Sequence, residues 1–202
     1  MNDSEHTWDN LLNISTIGRD DLKADQYHHP YEPTPYCVLD RLVTSGLVTE
    51  KDVVLDYGCG KGRVSFYLSH QTKAQTIGIE YDARILDAAA DNLRTAVSKE
   101  NTHFVLTRAE EFDVPLYVNR CYFFNPFSVE ILRGVFSRIL QSYYENPRDI
   151  LLFFYYPADD YISYLMSVNE LDFYDEIECD DLFPNDIRER ILIFKLSDYE
   201  QP

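Results

Sequence analysis

Val53-Val54-Leu55-Asp56-Tyr57-Gly58-Cys59-Gly60-Lys61-Gly62-Arg63 is the stretch whose reading decides the fold. Branched apolar residues end in an aspartate, three glycines alternate with other residues, and an amphipathic run from Val64 to Leu68 follows. That order reads as a buried strand, a tight turn and a helix start. Glycine has no Cβ, so a ligand can lie directly against the backbone there. The next apolar run, Thr76-Ile77-Gly78-Ile79-Glu80, reads as a second buried strand that ends in a carboxylate 22 positions beyond Gly58. In nucleotide-binding βαβ units an acid about 20 positions after the glycines takes the ribose hydroxyls. A carboxylate suits that role because it can accept from both hydroxyls of a cis-diol.

The glycine spacing separates two classes of ligand. A dinucleotide site needs G-x-G-x-x-G, with a helix N-terminus facing a pyrophosphate. Here the pattern is Gly58-x-Gly60-x-Gly62, preceded by Asp56. A carboxylate at that point repels a pyrophosphate and attracts an ammonium group, which counts against a nicotinamide-dependent oxidoreductase. The string Asp56-x-Gly58-x-Gly60-x-Gly62, with Glu80 closing the next strand, resembles the class I S-adenosylmethionine-dependent methyltransferases. The resemblance implies that S-adenosylmethionine is the cofactor. The first strand and its loop (Asp56, Gly58, Gly60, Gly62) would hold its amino acid moiety, and Glu80 its ribose.

Outward from the motif, strands and helices alternate. Residues 36–47 fit a helix before the first strand, and Asp82 reads as the cap of a helix whose apolar face is Ile85, Leu86, Ala89, Leu93 and Val97. Strands are expected at 102–106, 120–124, 149–156, 172–178 and 190–196, with helices at 129–144 and 159–166. Such alternation predicts an α/β fold, a doubly wound and mostly parallel sheet. The family resemblance implies seven strands in a Rossmann-like methyltransferase fold, the last inserted antiparallel. Residues 1–35, polar and then proline-punctuated, are expected to form a short N-terminal arm or lid on a domain of residues 36–202.

In open α/β sheets ligands bind beyond the carboxyl ends of the strands, so the ends of the third and fourth strands join the site. Many family members carry an acid after the third strand that accepts from the adenine amino group. Arg108 stands there in this chain; Glu110 is the nearest substitute, and Ala109 offers a backbone N–H to the adenine ring. Asn125-Pro126-Phe127-Ser128 resembles the Asn/Asp-Pro-Pro-Tyr/Phe motif of methyltransferases that act on amino nitrogens, without its second proline. The resemblance implies that Asn125 and Phe127 lie beside the transferred methyl, Asn125 accepting from the target amine and also touching cofactor. The alternative is a strand-to-helix turn with Asn or Ser as cap. Tyr31-x-Pro33-Thr34 ahead of the loop, with Lys61 and Arg63 in it, resembles one bacterial subgroup of these enzymes, in which the segment by position covers the cofactor.

The 202 residues fit one domain. A chain of this length buries enough apolar surface to need neither disulfide nor metal staple. Cys37, Cys59, Cys121 and Cys179 are scattered without C-x-x-C spacing, so neither a zinc site nor a disulfide framework is implied. His28-His29 reads as surface histidines rather than metal ligands, because neighbouring side chains of an extended segment point opposite ways. Tyr27, Tyr31, Tyr36, Tyr155 and Tyr156 are candidates for an aromatic wall facing a cationic or planar substrate. A net charge of −17 argues against nucleic acid as partner, since that binding rests on Lys and Arg neutralising phosphates. No membrane-length apolar run or signal peptide is seen, which reads as a cytoplasmic protein. The expected activity is methyl transfer from S-adenosylmethionine to a small-molecule or protein acceptor, at an amino nitrogen on the evidence of Asn125. Its rivals are a catalytically silent S-adenosylmethionine-binding partner protein and a nucleic-acid amino methyltransferase. Acceptor identity and oligomeric state are not encoded in any motif.

Overall fold

The structure, a computed structural model, describes residues 2–22, 27, 29–183 and 186–197. Seven strands make one sheet: β1 Val53–Tyr57, β2 Gln75–Glu80, β3 Thr102–Leu106, β4 Arg120–Phe123, β5 Leu151–Tyr155, β6 Leu171–Glu178 and β7 Arg190–Leu196. The order is β3-β2-β1-β4-β5-β7-β6, with β7 antiparallel to both its neighbours and all other pairs parallel. This is the doubly wound, Rossmann-like methyltransferase arrangement expected from the sequence.

Alternation along the strands divides the core between the two faces of the sheet. Leu55 and Tyr57 of β1, Cys121 and Phe123 of β4, and Leu152 and Phe154 of β5 pack with α5 (Val129–Glu145) and α6 (Asp159–Leu165). Val54, Tyr122, Leu151, Phe153 and Tyr155 pack on the other face with α1 (Asn2–Leu12), α2 (Tyr36–Thr44) and α3 (Arg63–Thr72). Asp56 shares the phase of Val54, so it faces α3 rather than α5. Between β2 and β3 runs α4 (Ala83–Thr95), capped by Asp82, whose Oδ1 accepts from the Arg84 N–H at 3.0 Å. Crossovers run one way from β1 to β3 and the other way from β4, so the topological switch lies between β1 and β4. That is where a ligand cleft opens in such sheets.

Strand positions agree with the sequence reading to within a residue or two. Val97, expected on the apolar face of α4, instead lies beyond the helix end and is exposed. The N-terminal stretch shows no clean apolar period, yet Asn2–Leu12 is helical. Its inner face is built on Trp8, Asp9 and Leu12, and Asp9 is a buried carboxylate that breaks the apolar pattern. Trp8 packs on Tyr67 of α3 and Tyr36 of α2, with ring centroids 4.9 and 6.0 Å apart. Among the described residues no helix is long and apolar enough to cross a membrane.

Candidate functional site

A cleft of about 980 Å³, its mouth included, opens at the carboxyl ends of β1, β2, β3 and β4. Its floor is the turn after β1. Gly58, Gly60 and Gly62 take φ values of +71°, +55° and +89°. The Gly58 and Cys59 N–H groups both donate to the Ile79 carbonyl at 3.0 Å, and Gly62 donates to the Cys59 carbonyl at 2.8 Å, so the turn is tied to β2 and to itself. A Cβ on Gly58 would lie 2.6 Å from Cβ of Pro126, and one on Gly60 would lie 2.2 Å from the ring of Tyr31. The turn therefore admits close approach from two sides: the loop after β4 and the N-terminal arm.

Asp56 is buried, and its Oδ2 accepts from the Ser65 hydroxyl at 2.9 Å. Burial pushes its carboxyl up to about 7, partly offset by the Ser65 bond. Glu80 is also buried and also pushed upward by burial. Its Oε2 accepts from the Gly60 N–H at 3.2 Å, and its Oε1 accepts from the N–H groups of Tyr81 and Asp82 at 2.9 Å each. Glu80 thus holds the glycine turn and the start of α4 in place while facing the cleft. Ala109 and Glu110 line the cleft from a 3-10 turn after β3, with Arg108 paired to Glu110 at 3.7 Å. Five carboxylates reach the cleft: Asp20, Glu32, Asp56, Glu80 and Glu110. Two guanidiniums oppose them, Arg63 and Arg108, and Arg63 is already paired with Glu5 and Asp9 of α1. The site is acidic, which favours a cationic ligand.

Of the residues picked out from sequence, Asp56, Gly58, Glu80, Ala109, Glu110 and Phe127 line the cleft together. Gly60, Gly62 and Asn125 are not among the lining residues. Gly60 is covered by the Tyr31 ring and Gly62 by the rings of Phe104 and Phe66, so both serve close packing of the turn. Asn125, at φ +37°, spends its amide on the β5–α6 connection: Nδ2 donates to the Tyr156 carbonyl and Oδ1 accepts from the Ala158 N–H at 3.3 Å. Its backbone carbonyl accepts from Nδ1 of His29 at 2.7 Å.

The arm contributes more than its composition suggests. Residues from His29 to Thr34 form one wall of the cleft. The His29 N–H donates to the Pro126 carbonyl at 3.3 Å, and the Ser128 N–H donates to the Tyr27 carbonyl at 2.8 Å, so the arm is laid along the turn after β4. Tyr31 donates through its hydroxyl to the Thr16 carbonyl at 2.5 Å, and Lys61 sits 5.0 Å from its ring centre. His29 is therefore part of the cleft and not merely a surface residue; His28 lies outside the described residues. The expected tyrosine wall is largely corrected. Tyr36 and Tyr155 are core residues whose hydroxyls donate to Asp9 and Glu189, each at 2.6 Å, and only Tyr31 of the five lines the cleft. Asn92 of α4 carried no signal in the sequence. It is buried, receives the Ser15 N–H at 2.8 Å and donates to the Lys61 carbonyl at 3.0 Å, joining arm, helix and glycine turn.

Residues 49–146 match the sequence pattern of a methyltransferase domain family. A protein-lysine N-methyltransferase of Saccharolobus islandicus (strain REY15A) is 34% identical over 73 residues, covering 35% of this chain and 45% of that relative. The match thus spans less than half of the relative's length. Among solved structures, an RNA methyltransferase from Salinibacter ruber in complex with S-adenosyl-L-homocysteine is 18% identical with a TM-score of 0.54, over 85% of this chain and 96% of that one. Phosphoethanolamine N-methyltransferase 1 of Haemonchus contortus is 12% identical with a TM-score of 0.61, over 82% of this chain and 43% of that one. At such identities the two structures bear on the fold alone.

Proposed function

We propose that the protein, whose residues 49–146 match a methyltransferase domain family, transfers a methyl group from S-adenosylmethionine to an amino nitrogen, with a protein lysine side chain as the first acceptor to test. The observation that carries this reading is the acidic cleft, where five carboxylates face two guanidiniums. The likeness to a protein-lysine N-methyltransferase supports the same choice.

The residues present fit the cofactor. Gly58 and Cys59 line the floor, Asp56 would oppose an ammonium group, and Glu80 closes the neighbouring strand, where a ribose would lie. Ala109 and Glu110 stand where an adenine would extend, and Pro126 and Phe127 flank the opposite end. Bound there, the cofactor supplies a methyl group already activated by a positive sulfur. The chain's own work is then alignment and exclusion of water. Asn125 contributes by fixing the turn that carries Pro126 and Phe127.

Labelled methyl transfer tests the reading. Incubation with a lysine-rich unfolded protein, with small primary amines, and with bulk RNA and DNA should label the protein or the amines. Label confined to nucleic acid would overturn it, and binding without any product would favour a silent partner protein. Asp56 adds a pH signature. Its carboxyl lies at about 7, and an ammonium beside it favours the ionised form. Cofactor affinity is therefore expected to fall below pH 7, by up to about tenfold per unit, with binding releasing a proton. Calorimetry at pH 6 and 8, in buffers of different ionisation enthalpy, reads both effects; Asp56→Asn should abolish the pH dependence.

A further inference from the structure

A lysine or small primary amine enters an acidic cleft as an ammonium ion, which has no lone pair with which to attack a methyl group. At an ordinary lysine value of about 10.4, roughly one amine in a thousand is neutral near pH 7.4. The surrounding carboxylates favour the cation further, so entry is helped and deprotonation is hindered. A proton acceptor inside the cleft would remove that conflict. Asn125 is the partner of the amine that the family resemblance implies, and the Pro126 carbonyl beside it is a second acceptor of the same turn.

Those two partners are already engaged. The His29 N–H takes one lone pair of the Pro126 carbonyl, and the Asn125 amide is turned to Tyr156 and Ala158. What the Asn125–Pro126 turn does instead is hold His29. A carbonyl oxygen can only accept, so Nδ1 of His29, 2.7 Å from the Asn125 carbonyl, must carry the hydrogen. In the neutral ring that leaves Nε2 as a bare acceptor. His29 lines the cleft with Pro126 and Phe127, on the β4 side and away from Glu80 on β2. We infer that His29 is the catalytic base of this site: its Nε2 takes a proton from the ammonium form of the acceptor before methyl transfer.

The step balances. One N–H bond of the ammonium breaks and its electron pair stays on nitrogen, while the proton passes to Nε2. That lone pair then forms the new N–C bond as the C–S bond breaks toward sulfur, and the imidazolium returns its proton to water. The charged groups that share the cleft with His29 are Asp20 and Glu32 of the arm, Asp56 and Glu80 of the strand ends, Arg63 at the start of α3, and Arg108 and Glu110 after β3.

The inference rests on the amine-acceptor reading, and His29→Asn separates the two. The Asn side-chain amide can still donate to the Asn125 carbonyl, which keeps the arm anchored, but it offers no base. At pH 7 the variant should lose about tenfold or more in kcat on an amine acceptor, with cofactor affinity by calorimetry unchanged. The deficit should shrink toward pH 10, where neutral amine is abundant. Nitrogen-15 spectra of wild-type protein should place the ring hydrogen of His29 on Nδ1. If wild-type protein labels an amine and His29→Asn keeps its rate at pH 7, the inference falls alone. It also falls if the variant loses rate equally at every pH, or if the hydrogen is found on Nε2 with Nδ1 bare. If wild-type protein labels no amine, the reading of function falls and takes this inference with it.

Discussion

Replacing Arg63 with methionine is expected to destabilise the protein by about 3–5 kcal/mol, the usual effect of leaving a buried carboxylate without its partner. Arg63 is only 3% exposed and opens α3 directly after the glycine turn. Its guanidinium pairs with Glu5, lies 3.7 Å from Asp9, and donates to the Thr16 hydroxyl at 2.7 Å and to the Thr34 carbonyl at 3.2 Å. It also stacks over the Tyr36 ring at 4.3 Å. Every one of those partners belongs to α1, to the arm or to the start of α2. Arg63 is therefore the clasp that fastens α1, Thr16, Thr34 and the start of α2 to the glycine turn. Methionine fills much of the same volume, so the loss comes less from a cavity than from Asp9, which keeps its hydrogen bonds from Thr16 and Tyr36 but is left buried without a cation beside it. For a chain of this length, 1 kcal/mol is roughly 2–4 °C, so thermal unfolding should fall by about 6–20 °C. Limited proteolysis should then cut first among residues 13–35. Asp9→Asn together with Arg63→Met should be less damaging than the sum of the single changes, because one variant removes the charge that the other strands. A fall of less than about 2 °C, or strict additivity, would show that the clasp contributes nothing.

The same clasp shows where sequence ceased to be legible. The glycine turn, Asp56 and Glu80 could be read because their meaning is local: backbone that needs positive φ, and acids at the ends of two strands. The sheet could be read because β1, β4 and β5 are apolar runs with helical periods between them. Asp9, Asn92 and Arg63 could not, because a polar residue in a helix looks solvated until its partner from a distant segment is known. Asp9 and Arg63 are 54 positions apart and Asn92 and Ser15 are 77 apart. Asn125 is the instructive case. Its motif was legible, but Asn125 does not itself line the cleft, and a three-residue pattern does not say which acceptors are already engaged. Only the fold brings His29 and Ala158 to it. His29 reads as a surface residue in the sequence because a His-His pair in a polar, proline-punctuated arm has no periodicity to place it.

Replacing Glu80 with alanine is expected to weaken S-adenosylmethionine binding by about 10–100-fold, and the structure limits how that loss divides. A carboxylate offers about four lone-pair positions. Three are taken by backbone N–H groups: Tyr81 and Asp82 on Oε1, and Gly60 on Oε2. One position remains, on Oε2, and it can accept from one ribose hydroxyl rather than from the full cis-diol that the sequence suggested. A hydrogen bond to a charged group contributes about 1.5–3 kcal/mol, and each 1.4 kcal/mol is tenfold in affinity. Alanine also releases the Gly60 N–H, so a fall in binding alone does not separate a disordered turn from a lost ribose contact. Two analogues of the cofactor product, one lacking the 2′-hydroxyl and one lacking the 3′-hydroxyl, distinguish these causes. Against wild-type protein one of the two should bind about tenfold or more weakly than the parent compound, and the other nearly as well. Against Glu80→Ala that difference between the analogues should vanish. If both analogues lose equally on both proteins, Glu80 acts only as the tether of the glycine turn, and the ribose lies elsewhere in the cleft.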